Sequence, residues 1–307
     1  MSFRVQLGLT MVRIFGWVLG LILLILGSIF LWVTYQQAEH LVHHPLPSRS
    51  LFKSAPQDFD LQVIEVELIN SDKQKLHGYF SGSRNGAFVM LQHGFKNNRS
   101  EMFEEAKILQ DAGYGILITS IRAHDFNDGD KITFGIKEID DLHAWYHYLI
   151  HQRGAIKNRV GLLGNSLGGS IVINYAAFNQ DIAAVVAVSA FSSLQDTINV
   201  SVEYFTGLPA FPFAPMISFW AEFILGVDVE QVNATKGAAS LCNTPLFIMQ
   251  GGQDIVISAE SGQWLYDSAC GERTLWFEET LGHTAFDTKR PDEFRRRVIE
   301  FFDQSLL

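Results

Sequence analysis

Length, composition and charge narrow the function classes before any motif is considered. The chain has 307 residues, of which 48% are hydrophobic and 18% are charged, enough material for one large core and a small subdomain. Its 33 acidic and 23 basic side chains give a formal net charge of -10. Because an acidic chain repels phosphate backbones, we exclude nucleic acid as a partner.

The N-terminal part of the chain contains a candidate transmembrane helix. Residues 14–33 carry no charged side chain, and at about 1.5 Å of rise per residue a helix of this length crosses the roughly 30 Å hydrocarbon layer. A cleaved signal peptide is the alternative. We disfavour it because the apolar stretch is too long and Gln36 stands where a cleavage site needs a small residue.

The charges that flank this span predict its orientation. Arg4 and Arg13 precede it, whereas the first lysine or arginine after it is Arg49. The positive-inside tendency therefore places residues 1–13 in the cytoplasm and the body of the chain outside, in a periplasmic or extracellular compartment.

A short irregular segment separates the span from the folded domain. Residues 34–58 contain Pro45, Pro47 and Pro56 and show neither a helical nor a strand period, which predicts a linker. We expect a single domain to occupy residues 59–307.

Short apolar runs alternate with helical patterns along this domain, which predicts an α/β fold with a mainly parallel sheet of eight strands and helices on both faces. The first two runs, joined through residues 70–73, are more typical of an antiparallel hairpin at the sheet edge. The predicted strands are 63–69, 76–80, 88–91, 116–119, 160–163, 185–188, 246–249 and 274–277, and the predicted helices are 99–111, 137–152, 167–178, 259–268 and 292–302.

One interval interrupts the alternation and predicts a cap over the end of the sheet. Residues 194–241 are too long for a simple crossover and are rich in large apolar side chains. Such side chains could line an acyl or aromatic substrate pocket, or they could form the core of the insertion itself. They are Tyr204, Phe205, Phe211, Phe213, Phe219, Trp220 and Phe223.

The central motif is a GxSxG pentapeptide at residues 164–168, between a predicted strand and a predicted helix. This setting is typical of a nucleophile elbow, in which a sharp turn lifts the serine hydroxyl out of the sheet. A Cβ at Gly164 or Gly168 would clash with neighbouring backbone. We therefore predict Ser166 as a catalytic nucleophile.

A serine nucleophile needs a base and a carboxylate that orients the base. Asp254 follows the strand at 246–249, and His283 follows the next strand. Both lie after the serine in the order acid, then histidine, and both lie at carboxyl ends of strands, where open α/β sheets bind ligands. The sequence thus predicts a catalytic triad of Ser166, Asp254 and His283.

Two backbone N–H groups are the expected oxyanion donors. One belongs to Leu167, directly after the nucleophile, and the other to Phe95, in the loop after the strand at 88–91. Gly94 gives this loop room to approach a substrate, and we expect His93 to hold the loop rather than to react. Asn98 is read as a helix cap because it stands three residues before Glu101.

From about residue 61 to 302 the sequence resembles the α/β hydrolases. It is similar to single-domain bacterial hydrolases with an HGxxxNR loop, here residues 93–99, and to the serine aminopeptidase and lysophospholipase-like branches. In such families the fourth strand commonly ends in DxRxHGxSxG. The corresponding stretch, residues 120–129, keeps Arg122, His124 and Gly129 but departs at Ser120, Asp125 and Asn127. These departures lie outside the triad and leave the implied reaction unchanged.

Two further groups of residues have the spacing of a possible metal site and of a possible disulfide. His143, His147 and His151 recur at four-residue intervals, which is ligand-like spacing, but they flank an apolar helix stripe and no HExxH motif is present. We expect no metal site. Cys242 and Cys270 each lie a few residues before a predicted strand, so a disulfide and two buried thiols are both open.

Together these features predict a membrane-anchored serine hydrolase that cleaves a carboxylic ester, thioester or small amide without a cofactor. A peptidase that removes residues from peptide N-termini is an alternative, since Glu203 and Glu222 of the cap could hold a substrate amine. A membrane-tethered binding protein that keeps the fold without turnover is another.

Overall fold

The protein is described by a computed structural model that covers residues 3–46, 49, 52 and 54–307, with side chains described from residue 11 onward. One sheet of eight strands organises these residues, in the order β1-β2-β4-β3-β5-β6-β7-β8. The strands are β1 (Ile64–Ile69), β2 (Lys75–Ser81), β3 (Phe88–Gln92), β4 (Gly115–Thr119), β5 (Val160–Asn165), β6 (Ile182–Val188), β7 (Leu246–Gly251) and β8 (Arg273–Glu278).

The strand directions confirm the predicted sheet. β1 and β2 form an antiparallel hairpin at one edge, and β2 pairs antiparallel with β4. The strands from β3 to β8 are parallel. Every residue of β3, β5 and β7 is buried, as expected for parallel strands covered on both faces.

Helices cover both faces of the sheet and divide the core into two apolar clusters. One cluster lies beneath α3, α4, α8 and the cap, and the other beneath α2, α9 and α10. The helices are α1 (Phe3–Val42), α2 (Phe103–Asp111), α3 (Glu138–Gln152), α4 (Leu167–Phe178), α5 (Leu194–Thr206), α6 (Ala210–Leu225), α7 (Ala234–Ala238), α8 (Ser261–Ser268), α9 (Phe286–Lys289) and α10 (Pro291–Leu306).

Helix α1 is longer than the predicted span. It continues beyond Val33 to Val42, because Ala38 and Val42, one helical turn apart, are fully buried against the domain. Pro45 lies just past its end. Residues 47, 48, 50, 51 and 53 of the predicted linker, Pro47 among them, lie outside the described residues, as do residues 1 and 2 of the predicted cytoplasmic segment.

The residues predicted as a cap form α5, α6, α7 and a short 3-10 helix at Val229–Gln231. Helix α6 packs against α1: the rings of Phe213 and Phe30 are 5.2 Å apart, and those of Trp220 and Tyr35 are 5.4 Å apart. Most of the large cap side chains do not form a core of the insertion. Five of the seven are exposed, namely Tyr204, Phe205, Phe211, Phe219 and Phe223.

The two cysteines are joined. Cys242 and Cys270 form a disulfide that links residues 28 positions apart, shortly before β7 and β8 begin. Of the two outcomes that the sequence left open, the structure therefore has the bridge. It ties together the amino ends of the two strands whose carboxyl ends carry Asp254 and His283.

Candidate active site

Ser166 occupies the sharp turn between β5 and α4. Its φ of +53° and ψ of −119° are a strained conformation for a residue with a side chain, and the turn is held by the Ser166 N–H, which donates to the Val188 carbonyl at 2.8 Å. A Cβ at Gly164 would lie 2.4 Å from backbone atoms of Gly168, and a Cβ at Gly168 would lie 2.2 Å from the Gln92 carbonyl oxygen. Both glycines are required by close backbone approach, as predicted.

Three side chains from three loops converge at this turn. His283 Nε2 lies 2.9 Å from Ser166 Oγ, and His283 Nδ1 lies 2.7 Å from Asp254 Oδ2. Both are hydrogen-bond distances. A proton on the serine hydroxyl can therefore pass to the imidazole, whose other nitrogen faces a carboxylate.

The Asp254 carboxylate is fixed by its own loop. Its Oδ1 accepts the N–H groups of Val256 at 3.0 Å and Ile257 at 3.1 Å, and its Oδ2 accepts from Gln250 Nε2 at 3.3 Å. The Asp254 side chain is fully buried, while that of His283 is 21% exposed. These hydrogen bonds fix the orientation of the carboxylate, and the partly open imidazole can meet a substrate and water.

The predicted oxyanion donors flank the serine. Within the described ranges, neither the Phe95 N–H nor the Leu167 N–H donates to a protein acceptor. A Cβ on Gly94 would lie 3.3 Å from Ser166 Cβ, so the loop that carries Phe95 runs directly beside the nucleophile. Leu167 is the first residue of α4, where backbone N–H groups have no helical acceptor.

Two buried histidines brace the Phe95 loop. The Ile121 N–H donates to His93 Nε2 at 3.1 Å, and the Lys96 N–H donates to His124 Nε2 at 2.8 Å. Since a backbone N–H only donates, each Nε2 is an acceptor and each Nδ1 carries the proton, which faces a carbonyl oxygen at 2.8 Å for His93 and 2.9 Å for His124. Burial lowers the pKa of His93 to about 4 and that of His124 well below its usual value. The structural part expected of His93 agrees with these contacts.

The residues that depart from the family pattern help to hold the same loop in place. The guanidinium of Arg99, which is fully buried, donates to the Asp125 carboxylate and lies 4.2 Å from the Tyr79 ring centroid. Asn127 donates to the carbonyls of Ser120 and Ile121. Asp125 therefore neutralises the arginine of the 93–99 loop instead of disturbing it.

Two acidic residues behind the nucleophile were not predicted from the sequence. The Gly94 N–H donates to Glu101 Oε2 at 2.8 Å, and Asn165 Nδ2 donates to Glu105 Oε1 at 2.9 Å. Burial raises the pKa of Glu101 to about 7 and that of Glu105 to about 8, against the lowering effect of these hydrogen bonds. Glu101 is also close enough to His283 for their charges to interact.

The Asn98 side chain does cap the following turn, since it accepts from the Ser100 N–H at 2.9 Å. The carboxylate of Glu101, however, reaches Gly94 instead of closing a capping box. An acid in the first turn of a helix is an ordinary sequence feature, so nothing in the sequence distinguished it.

The three histidines of α3 lie together on the helix surface. His143 Nε2 and His147 Nε2 are 3.0 Å apart, and the rings of His147 and His151 are parallel at 5.4 Å. In the part of the chain that the structure describes, no group of three or more His, Cys, Asp or Glu side chains is arranged to hold a metal ion.

Comparisons with known proteins agree with this architecture. A family model described as the alpha/beta hydrolase fold matches residues 88–215. Protein bem46 of Schizosaccharomyces pombe is 26% identical over 256 residues, which are 81% of this chain and 80% of that one. The uncharacterized protein YqkD of Bacillus subtilis is 23% identical over 217 residues, 70% of each chain.

A solved structure is similar over a wider range. The Pyrococcus furiosus esterase Pf2001 superimposes with a TM-score of 0.73 at 26% identity, and the match covers 87% of this chain and 99% of that one. Together with the eight-stranded sheet, these matches show that the chain has the α/β-hydrolase fold, and they support a hydrolase.

Proposed function

We propose that the protein is a membrane-anchored serine hydrolase that cleaves a carboxylic ester, thioester or small amide through an acyl-enzyme on Ser166. The observation that carries the proposal is the continuous hydrogen-bonded relay from Ser166 Oγ through His283 to Asp254, with links of 2.9 Å and 2.7 Å. No part of this reaction needs a cofactor.

In the first half of the reaction, Ser166 Oγ attacks the substrate carbonyl carbon while its proton passes to His283 Nε2. The carbonyl π electrons move to oxygen, where the N–H groups of Phe95 and Leu167 stabilise the negative charge. The tetrahedral intermediate then collapses, the bond to the leaving group breaks, and His283 donates the proton to that group. Asp254 stays ionised throughout and stabilises the imidazolium.

In the second half, water repeats these steps. His283 takes a proton from the water as its oxygen attacks the acyl carbon, and the second intermediate collapses with release of the carboxylic acid. The proton returns to Ser166 Oγ, so the enzyme is regenerated. The partial exposure of His283 gives water access to its ring.

The membrane anchor in this proposal is α1. Within the described residues it is the one helix that is long and apolar enough to cross a membrane by itself, although an N-terminal signal sequence has the same character. Apolar side chains between Met11 and Trp32 are exposed, as lipid contact requires. With the N-terminus in the cytoplasm, the catalytic domain faces outward, and a protease that digests the domain in intact cells would support this orientation.

The peptidase alternative draws less support. Glu222 Oε1 accepts the Val229 N–H at 3.0 Å, so this carboxylate is already engaged within the cap. Glu203 is exposed on α5. A non-catalytic role is disfavoured because a binding protein has no need to preserve the relay.

Activity of the full chain in detergent tests the proposal. We expect hydrolysis of p-nitrophenyl esters, assayed over increasing acyl length beside aminoacyl p-nitroanilides. Ser166→Ala should lower the rate by about 10^4-fold to 10^6-fold, whereas Ser240→Ala, at an exposed position in the turn after α7, should not change it. Equal activity of the two variants would overturn the choice of nucleophile, and preference for the anilides would favour the peptidase.

A further inference from the structure

The cap exposes an apolar surface, which we call the cap face. Between Tyr204 and Leu225 the only charged side chain is Glu222. Single exposed apolar residues are common, but contiguous apolar surfaces mark interaction sites. The cap face consists of Tyr204, Phe205, Phe211, Phe219 and Phe223, each at least half exposed, with Phe211 at 80% and Phe223 at 72%.

The cap face continues the apolar surface of α1. Helix α6 lies beside the end of the predicted span, where Phe213 contacts Phe30 and Trp220 Nε1 donates to Thr34 Oγ1 at 3.2 Å. Trp220 also stacks edge-on against Tyr35. Tryptophan and tyrosine at the end of an apolar span are typical of the membrane–water interface.

The dimensions of the cap helices favour a position within this interface. Helices α5 and α6 have 13 and 16 residues and meet at a bend of 113°. About 20 residues are needed to cross the hydrocarbon layer, so neither helix can span it. An apolar helix pair of this length that adjoins a span fits a shallow insertion instead.

The active site lies close to the same boundary. The Lys96 ammonium donates to the carbonyl of His40, near the end of α1. His40 is seven residues beyond Val33, which is about 10 Å along a helix. The headgroup layer on each side is roughly 5–8 Å thick, so His40 lies near its outer surface. Lys96, which contacts His40, directly follows Phe95, one of the proposed oxyanion donors.

We propose that the cap face is inserted in the bilayer that α1 crosses and that the substrate is an acyl ester of a membrane lipid, which reaches Ser166 from the headgroup layer. The substrate class rests on the hydrolase function proposed above, whereas the insertion rests only on the cap face and α1. A lipid is favoured over a second copy of the chain as the occupant because α6, which carries most of the cap face, packs directly against the apolar helix α1.

Depth measurements test the insertion. Both natural cysteines are in the disulfide, so a single new cysteine at Phe223→Cys can be labelled selectively with an environment-sensitive fluorophore in the full chain, reconstituted into phosphatidylcholine vesicles. The matched control is Phe178→Cys. Phe178 is 59% exposed, but it is the last residue of α4 and lies at the end of that helix far from Ser166. We expect brominated acyl chains to quench the label at 223 at least twofold more than at 178, and aqueous iodide to show the reverse order.

Two results would overturn the insertion. One is equal quenching by iodide at both positions. The other is protection of the label at 223 from iodide without quenching by brominated lipids, if this protection disappears when the lipid-to-protein ratio is raised tenfold. That result would identify a second copy of the chain as the occupant.

Activity in vesicles tests the substrate class. We expect Phe211→Ser/Phe223→Ser to lower the ratio of phosphatidylcholine hydrolysis in vesicles to p-nitrophenyl butyrate hydrolysis in solution at least tenfold, whereas Phe178→Ser leaves this ratio unchanged. An unchanged ratio in the double variant, or absence of phospholipid hydrolysis by a chain that cleaves the soluble ester, would overturn a lipid substrate. Absence of both activities would refute the proposed function while the depth result stood.

Discussion

Two regions depart from the usual burial preferences in opposite directions. One is the end of the sheet around Ser166, which we call the rim, and the other is the cap face. At the rim, polar residues that normally stay in water are buried, and over all their atoms Arg99 is 0%, Glu105 2% and Asp254 8% exposed. On the cap face, aromatic side chains that normally fill a core are exposed. Neither region is arranged for stability in water alone.

The difference between the two regions lies in what compensates each departure. At the rim the compensation is internal: backbone N–H groups hold Asp254, and Arg99 pairs with Asp125, as buried charge requires. Among the described residues, no apolar surface covers the aromatic side chains of the cap face, and we infer that lipid covers them. Changes at the rim should therefore affect chemistry and folding, and changes on the cap face should affect neither in detergent.

Among the changes that test this comparison, the largest effect is expected from Asp254→Asn. The amide keeps the shape of the side chain but no longer fixes the imidazole tautomer or stabilises its charged form, so we expect kcat to fall about 10^4-fold in ester hydrolysis assays. The exposed Asp267→Asn on α8 is the control. A loss under tenfold would show that the buried carboxylate of the rim is structural.

Next in size is the effect of Gly168→Ala on folding. The added Cβ would lie 2.2 Å from the Gln92 carbonyl oxygen, whereas the atom nearest to a Cβ on Gly282 would be the Gln253 carbonyl oxygen, at 3.7 Å. We expect Gly168→Ala to lower the free energy of unfolding by more than about 2 kcal/mol in thermal melts. Gly282→Ala should have little effect, and equal melting temperatures would contradict the close packing of the elbow.

Glu101→Gln should lower activity by a smaller, pH-dependent factor. The pKa of Glu101 is raised to about 7, so below pH 7 the wild type and the amide are both uncharged there. Above pH 7 only the wild type places a negative charge near His283. We expect the ratio of wild-type to variant kcat to rise about threefold to tenfold between pH 6 and pH 8. A ratio that does not vary with pH would limit the role of Glu101 to its hydrogen bond with Gly94.

Glu105→Gln should stabilise the protein at high pH. Burial raises the pKa of Glu105 in the folded state to about 8, so the folded state binds more protons than the unfolded state between the ordinary carboxyl pKa and pH 8. The stabilising contribution of the protonated group is complete below that ordinary value and is lost as pH rises through 8.

We therefore expect equal melting temperatures for Glu105→Gln and the wild type at pH 4, and a variant at least about 3 °C more stable at pH 8.5. Glu104→Gln, at the exposed neighbouring position, is the control. A difference that does not grow with pH would argue against a neutral Glu105 at the rim.

The smallest effect is expected on the cap face. Phe223→Ser in detergent should change the free energy of unfolding by no more than about 0.5 kcal/mol, whereas Phe294→Ala, at a position only 1% exposed, should cost about 3–5 kcal/mol. A large loss in Phe223→Ser would mean that the cap aromatics form a core, and the contrast between the two regions would fail.

Much of the fold followed from the sequence because its strongest signals are local. Buried parallel strands such as β5 and β7 are short apolar runs, and each predicted strand lies within about three residues of an observed one. The positions of Ser166, Asp254 and His283 followed from the same logic, since loops at the carboxyl ends of parallel strands meet at one edge.

The features that escaped prediction depend on contacts between distant residues. The extension of α1 is set by the burial of Ala38 and Val42 against the domain, and the exposure of Phe211 and Phe223 by the docking of α6 on α1. The pKa of Glu101 depends on its burial beside Gly94. None of these contacts produces a periodic pattern or a motif in the sequence.

Mapping the covalent adduct of a fluorophosphonate probe tests the central claim, the reactive relay at Ser166, most directly. After the full chain in detergent is labelled and digested, mass spectrometry should find one adduct per chain, on the peptide that contains Ser166, and His283→Ala should slow its formation at least a hundredfold. An adduct on another serine, or rapid ester hydrolysis by a chain that the probe does not modify, would contradict the account.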